Sequence, residues 1–147
     1  MDEYTPLALV CIDNVDYCNY VQQTLTDLGF SVQSSTDIED AIVRIQVATY
    51  DTVVMFAELG GKPIDENPVW KESLRIPAVN RRREFITLIS SIMPTRDEML
   101  EFAYSVELIV NAADVANLGM LLRQGIATRI ASYELFNALS RPKALLR

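Results

Sequence analysis

Tyr50-Asp51-Thr52-Val53-Val54-Met55-Phe56 opens on an aspartate and closes on an apolar run that carries no charge. Such a run suits a strand buried on both faces of a parallel sheet. Working outward, Leu7-Ala8-Leu9-Val10-Cys11-Ile12, Phe85-Ile86-Thr87-Leu88-Ile89 and Leu108-Ile109-Val110 have the same character. Phe30-Ser31-Val32-Gln33-Ser34 alternates instead, as an edge or near-edge strand does. The segments between are helical in period. Cys18, Val21, Leu25 and Leu28 recur on one face after a cap at Asp13 or Asn14, and Gly29 ends that helix. Thr36 with Glu39 reads as a capping box ahead of Ile38, Ala41, Ile42 and Ile45. Thr95 with Glu98 repeats the signal ahead of Met99, Phe102 and Ala103. From Asp114 the pattern is helical almost to Ser140.

Five strands alternating with helices imply a parallel sheet covered on both sides. The expected architecture is α/β, a flavodoxin-like doubly wound five-stranded parallel sheet of order 2-1-3-4-5. An extended C-terminal helix completes it. One domain is expected over residues 1–147, with its core at about 6–125 and a helical extension at about 126–140. The single long irregular stretch, Ala57 to Glu66, is punctuated by Gly60, Gly61 and Pro63, and a short helix through Trp70 and Leu74 follows. In such a fold a site lies at the carboxyl ends of the strands. Here those ends are Ile12-Asp13, Phe56-Ala57, Ile89-Ser90-Ser91 and Asn111-Ala112.

Composition narrows the function classes. The chain has 147 residues, half of them hydrophobic, and a net charge of −7. That balance argues against a broad nucleic-acid footprint, which Lys and Arg would have to lead. The cluster Arg81-Arg82-Arg83 reads as solvated loop charge. With no histidine anywhere and two cysteines, Cys11 and Cys18, no ordinary zinc site and no histidine-based triad is possible. Both thiols read as small buried residues. No apolar run reaches the roughly 20 residues of a membrane span, and Met1-Asp2-Glu3-Tyr4 has no secretory-signal character. The expected location is cytoplasmic.

On the residues at its strand ends, the chain resembles the receiver domain of bacterial response regulators. Tyr50 to Phe56 is similar to the receiver's third strand, and Asp13-Asn14-Val15-Asp16 to its first strand-to-helix turn. The likeness covers about residues 6–125 and rests on the register of the whole pattern. In active receivers an aspartate at the end of the third strand accepts a phosphoryl group. An acidic pair after the first strand holds Mg²⁺, a Thr or Ser ends the fourth strand, and a Lys ends the fifth. Carried over by register, these positions hold Phe56, Ile12 with Asp13, Ser90 and Asn111. The aromatic switch position holds Leu108. A phenyl ring cannot form an acyl phosphate, one carboxylate beside it is a poor Mg²⁺ site, and no lysine remains to stabilise transferred charge. Asp13 and Ser90 are then expected to persist as a helix cap and a strand-end hydrogen bond, with Phe56 filling the vacated pocket as core.

The resemblance therefore implies a non-catalytic pseudo-receiver with no cofactor and no bound metal, acting through a protein partner. The last helix supports this. Residues 113–139 would extend about 40 Å, whereas a five-residue strand spans about 17 Å. Leu122, Ile126, Ile130, Tyr133 and Phe136 continue an apolar stripe beyond the sheet. The stripe is expected to pair with a second copy or another protein, as the resemblance also implies; the alternative is a bend at Gly125 that folds it back. Trp70 is a second candidate anchor, with burial in the core as the plainer reading. Two other functions stay open: regulation by a small ligand or nucleotide in the Asp13/Ser90 pocket, and a small flavodoxin-like enzyme. Gly60-Gly61 lacks the context of a phosphate-cradling loop.

Overall fold

A computed structural model describes residues 5–139, with side chains through residue 131. Five strands form one wholly parallel sheet: β1 (Leu7–Cys11), β2 (Ser31–Ser35), β3 (Thr52–Phe56), β4 (Phe85–Ser90) and β5 (Leu108–Asn111). Their order is β2-β1-β3-β4-β5, the doubly wound order expected from the sequence. The connecting helices are α1 (Val15–Asp27), α2 (Ile38–Val47), α3 (Pro68–Ser73), α4 (Ala78–Arg81), α5 (Glu98–Tyr104) and α6 (Leu118–Leu139). No helix among the described residues is long and apolar enough to cross a membrane.

The apolar strand runs are explained by which side chains meet which layer. Successive residues point to opposite faces. Leu9, Cys11, Val53, Met55, Ile86 and Ile109 pack with Ala41 and Ile45 of α2 and Val69 of α3. Ala8, Val10, Val54, Ile89 and Val110 pack with Cys18, Val21 and Leu25 of α1 and Leu118 and Leu122 of α6. Each fully buried Leu or Ile in these layers contributes on the order of 1.5–3 kcal/mol. Cys11 and Cys18 are buried free thiols, and burial pushes both up from the ordinary thiol range.

Of the two cap candidates for α1 it is Asn14, not Asp13, that accepts the Tyr17 N–H, at 2.9 Å. The other two caps differ from the sequence expectation by a residue or two. Asp37 caps α2 in place of Thr36, accepting from Asp40 N. Asp97 caps α5 in place of Thr95, accepting from Leu100 N at 3.1 Å. Asp stands directly before the first helical residue in both cases, and its short carboxylate also complements the helix dipole. The stretch after β3 folds into two 3-10 turns, Leu59–Gly61 and Ile64–Glu66, before α3. Trp70 is no exposed anchor. It is half-buried, donates its indole N–H to the Tyr104 carbonyl at 2.9 Å, and meets the Tyr104 ring edge-on at 5.6 Å.

β5 is an edge strand, and its outward groups are capped within the chain. Glu101 accepts the Ile109 N–H at 2.9 Å, and the Arg96 N–H donates to the Ile109 carbonyl at 2.8 Å. Burial raises the Glu101 carboxyl, and that Ile109 bond pulls it back. On the other side of the sheet α6 runs unbroken through Gly125, so the chain does not turn back there. Arg129 ties α6 down, donating to the Glu84 carbonyl at 2.7 Å and also to the Arg82 carbonyl.

Gly125 is where α6 presses on β4. A Cβ built there would lie 2.8 Å from Cζ of Phe85, whereas one on Gly119 would meet Thr24 at an ordinary 3.4 Å. Glycine in a helix normally costs about 1 kcal/mol relative to alanine, and overpacking a core costs about 1–3 kcal/mol. Gly119→Ala is therefore expected to hold or raise stability, and Gly125→Ala to lower it by about 1–2 kcal/mol. Urea unfolding of both variants checks this, and equal stabilisation by the two would contradict the packing described.

Candidate functional site

The carboxyl ends of β1, β3, β4 and β5 form one rim, and Ile12, Asp13, Phe56, Ser90 and Asn111 all lie on it, whereas Leu108 opens β5 at its other end. Ile12 is fully buried, packed with Val10, Cys18 and Ile89. Asp13 is exposed, and its Oδ2 accepts the Gly60 N–H at 3.0 Å, tying the end of β1 to the loop after β3. Phe56 is half-buried rather than enclosed as core. It touches both core layers and meets the Tyr17 ring edge-on at 6.0 Å. The Tyr17 hydroxyl is buried without a hydrogen-bond partner among the described residues, and burial raises it.

Ser90 is fully buried, and its hydroxyl is wholly committed. It donates to Oε2 of Glu58 at 2.7 Å while accepting the N–H groups of Ile92 and Met93 at 3.1 and 2.9 Å. The other Glu58 oxygen accepts the Ser91 N–H at 2.8 Å and the Ser91 hydroxyl at 3.1 Å. Glu58 itself is buried, 8% exposed. Two hydroxyls and a backbone N–H converging on one point make an anion cradle. Here the chain's own carboxylate fills it. The sequence reading placed Ser90 at the strand end but gave Glu58 no role. The available signal was an acid two residues past an otherwise apolar strand.

Asn111 is held in the same manner. Its Nδ2 donates to the Met93 carbonyl at 2.8 Å, its Oδ1 accepts the Ala113 N–H at 2.9 Å, and its N–H reaches Oγ1 of Thr95 at 2.8 Å. Thr95 in turn donates to Asp114 at 2.5 Å, which explains why this threonine is unavailable as a helix cap. Leu108 is buried at the inner layer. Asn67, unnoticed in the sequence, donates to the carbonyls of both Phe56 and Ala57 at 3.0 and 3.1 Å and caps α3 with its oxygen. The rim is thus cross-tied loop to loop. Among the described residues no three acidic, histidine or cysteine side chains group to hold a metal ion.

The five α6 positions separate. Leu122 is fully buried in the layer against the sheet, and Ile126 is partly buried against the same layer. Ile130 is exposed at 54%. The side chains of Tyr133 and Phe136 lie outside the described residues.

Removing the Glu58 carboxylate leaves the buried Ser90 hydroxyl without its acceptor, at about 1–3 kcal/mol. Glu58→Ala is expected to lose that much stability in urea unfolding and to raise amide exchange at Ser91 and Gly60 together. Glu58→Gln should lose less. Unchanged exchange in Glu58→Ala would show that the carboxylate ties nothing.

No family model matches the sequence, and no curated protein matches it. Solved structures do. A CheY-like response regulator receiver domain protein from Methanospirillum hungatei JF-1 superposes with a TM-score of 0.67 at 9% identity, over 88% of this chain and 99% of that one. A sensor protein from Polaromonas sp. JS666 gives 0.64 at 19% identity, over 86% and 99%. The signal receiver domain of an HD domain-containing protein from Pseudomonas fluorescens Pf-5 gives 0.63 at 16%, over 91% and 96%. With five parallel strands in the order β2-β1-β3-β4-β5 and a backbone that superposes on these domains, the fold of this chain is that of the response-regulator receiver domains.

Proposed function

We propose that this chain is a phosphorylation-independent receiver-like module, non-catalytic, that works by binding a protein partner. The observation that supports it most directly is the Glu58 carboxylate seated on Ser90 and Ser91. Those donors are the groups on the rim suited to an incoming anion, and a buried internal carboxylate already satisfies them. Beside them stands Phe56, whose ring offers no oxygen to phosphorylate. The sole carboxylate at the end of β1, Asp13, is engaged by the Gly60 N–H. The same occupancy weighs against a small ligand in the Asp13/Ser90 pocket, because the Ser90 hydroxyl has no free capacity.

Incubation with radiolabelled acetyl phosphate and Mg²⁺ is expected to leave the chain unlabelled. Phe56→Asp alone is expected to stay unlabelled too, since Asn111 rather than a lysine ends β5 and only one carboxylate, Asp13, stands at the end of β1. Stable label on the unaltered chain would defeat the proposal.

For the partner surface, the supporting features are apolar side chains turned outward. Met99 and Phe102 of α5 are exposed at 84% and 88%, and Ile130 of α6 at 54%. Tyr133 and Phe136 continue the Ile130 stripe in the sequence. Pairing with a second copy through α5 and α6 is the form we favour, with a different protein as the other outcome. Sedimentation velocity is expected to show a mass that rises with concentration, and a double Ile130→Asp, Phe136→Asp variant to stay at the single-chain mass. A wild-type chain that sediments as a monomer throughout would assign the surface to a different protein.

A further inference from the structure

Glu84 and the cleft around it lie at the opposite end of the sheet from the rim and play no part in the function proposed above. Residues at the end of α2, in the turn before β3, and from α3 through α4 enclose a cleft of about 260 Å³. Ile45, Ile76 and Pro77 give it apolar walls, and Glu72, Arg75 and Glu84 give it charge. Glu84 is only 2% exposed. Burial pushes its carboxyl up to about 7, against the pull of the Tyr50 backbone N–H and of Arg81.

No ion pair reaches this carboxyl among the described residues. The nearest cation, Arg81, is spent elsewhere: it donates to the Glu84 carbonyl and the Ser105 carbonyl at 2.7 Å each, and to the Glu107 carboxylate at 3.0 Å. Arg129 likewise takes the Glu84 carbonyl, not its side chain. Glu107 and Asp51 add negative charge nearby, which further disfavours ionisation. A second carboxylate, Glu72, has its side chain 17% exposed and is paired only loosely, at 4.0 Å, with Arg75, whose own side chain is 77% exposed. A buried acid without a counter-charge is costly unless it takes up a proton or a cation. The cleft has room for a small cation with a short apolar body, and too little for a drug-sized ligand.

We propose that this cleft binds a small organic cation of the alkylammonium class, with Glu84 supplying the counter-charge, Glu72 a second carboxylate on the wall, and Ile45, Ile76 and Pro77 covering the alkyl part. Arg75 is its internal rival for Glu72.

The test titrates the full chain with n-butylammonium chloride against an equal concentration of sodium chloride, followed by amide chemical shifts. Shifts are expected at Tyr50, Ile76 and Asn80. Binding needs the ionised carboxyl, so the apparent affinity is expected to be about tenfold higher at pH 8 than at pH 6. Glu84→Gln should weaken binding at pH 8 about tenfold or more and abolish its pH dependence. Arg75→Ala should bind as well as the unaltered chain or better. Should Glu84→Gln fail to fold, the carboxyl carbon of Glu84 in the unaltered chain serves instead, and its midpoint is expected to fall by about one pH unit with the amine present. An unmoved midpoint, pH-independent binding, or no shift up to the solubility limit of the amine overturns the proposal. So does binding that Glu84→Gln leaves unchanged at pH 8, which would show that this carboxyl is not the counter-charge.

Discussion

A parallel sheet clothed by helices on both sides has no open face, so whatever polar chemistry the chain carries is pushed to the strand ends. The strands obey this strictly: β3 and β4 are buried along almost their whole length, with Phe56 the half-exposed exception at the tip. At that rim a polar side chain can either meet solvent and ligands or tie one loop to the next. This chain uses its rim for ties. Glu58 bridges from β3 to β4, Asp13 from β1 to the loop after β3, Asn67 back onto the end of β3, and Asn111 with Thr95 from β5 to the loop after β4. Magnitudes favour this assignment. Each charge-assisted bond contributes about 1.5–3 kcal/mol net, and an ion arriving from water would have to displace a carboxylate tethered to the same backbone.

The strands, their order and the rim positions were legible in the sequence because a single physical rule, burial on both faces, governs all of them. Leu9, Val54 and Ile86 announce that burial by composition alone. Caps were read one or two residues off, because Thr36 and Thr95 match the capping-box spacing while Asp37 and Asp97 stand nearer the first turn. Thr95 was drawn off by Asp114, a partner 19 residues away that local pattern cannot reveal. Glu58 was missed for the same reason in stronger form: its partners are 32 and 33 residues downstream and depend on the β3–β4 pairing already being in place. Local sequence reports what an element prefers to be. It is silent on which distant loop will satisfy a given side chain.

Helix α6 shows the limit of periodicity in another way. An apolar stripe marks a face, yet it does not say how far the neighbouring layer reaches. Leu122 and Ile126 lie on the stripe and are claimed by the sheet, and Gly125 lets the helix approach Phe85 closely enough for Arg129 to reach the turn before β4. The docked part therefore extends one helical turn further than strand length alone suggests. What continues past it begins at Ile130, not at Leu122.

The capping of β5 has a consequence for growth of the sheet. A bare edge strand offers its amides and carbonyls to any extended chain that drifts past, which is how sheets lengthen into fibres. Here the outward amide of Ile109 is stoppered by a carboxylate and its carbonyl by the Arg96 amide. A sixth strand would have to evict both before it could seat. Assembly on this flank is thereby steered toward contacts between side chains, which can close on themselves, and away from open-ended backbone zippering, which cannot.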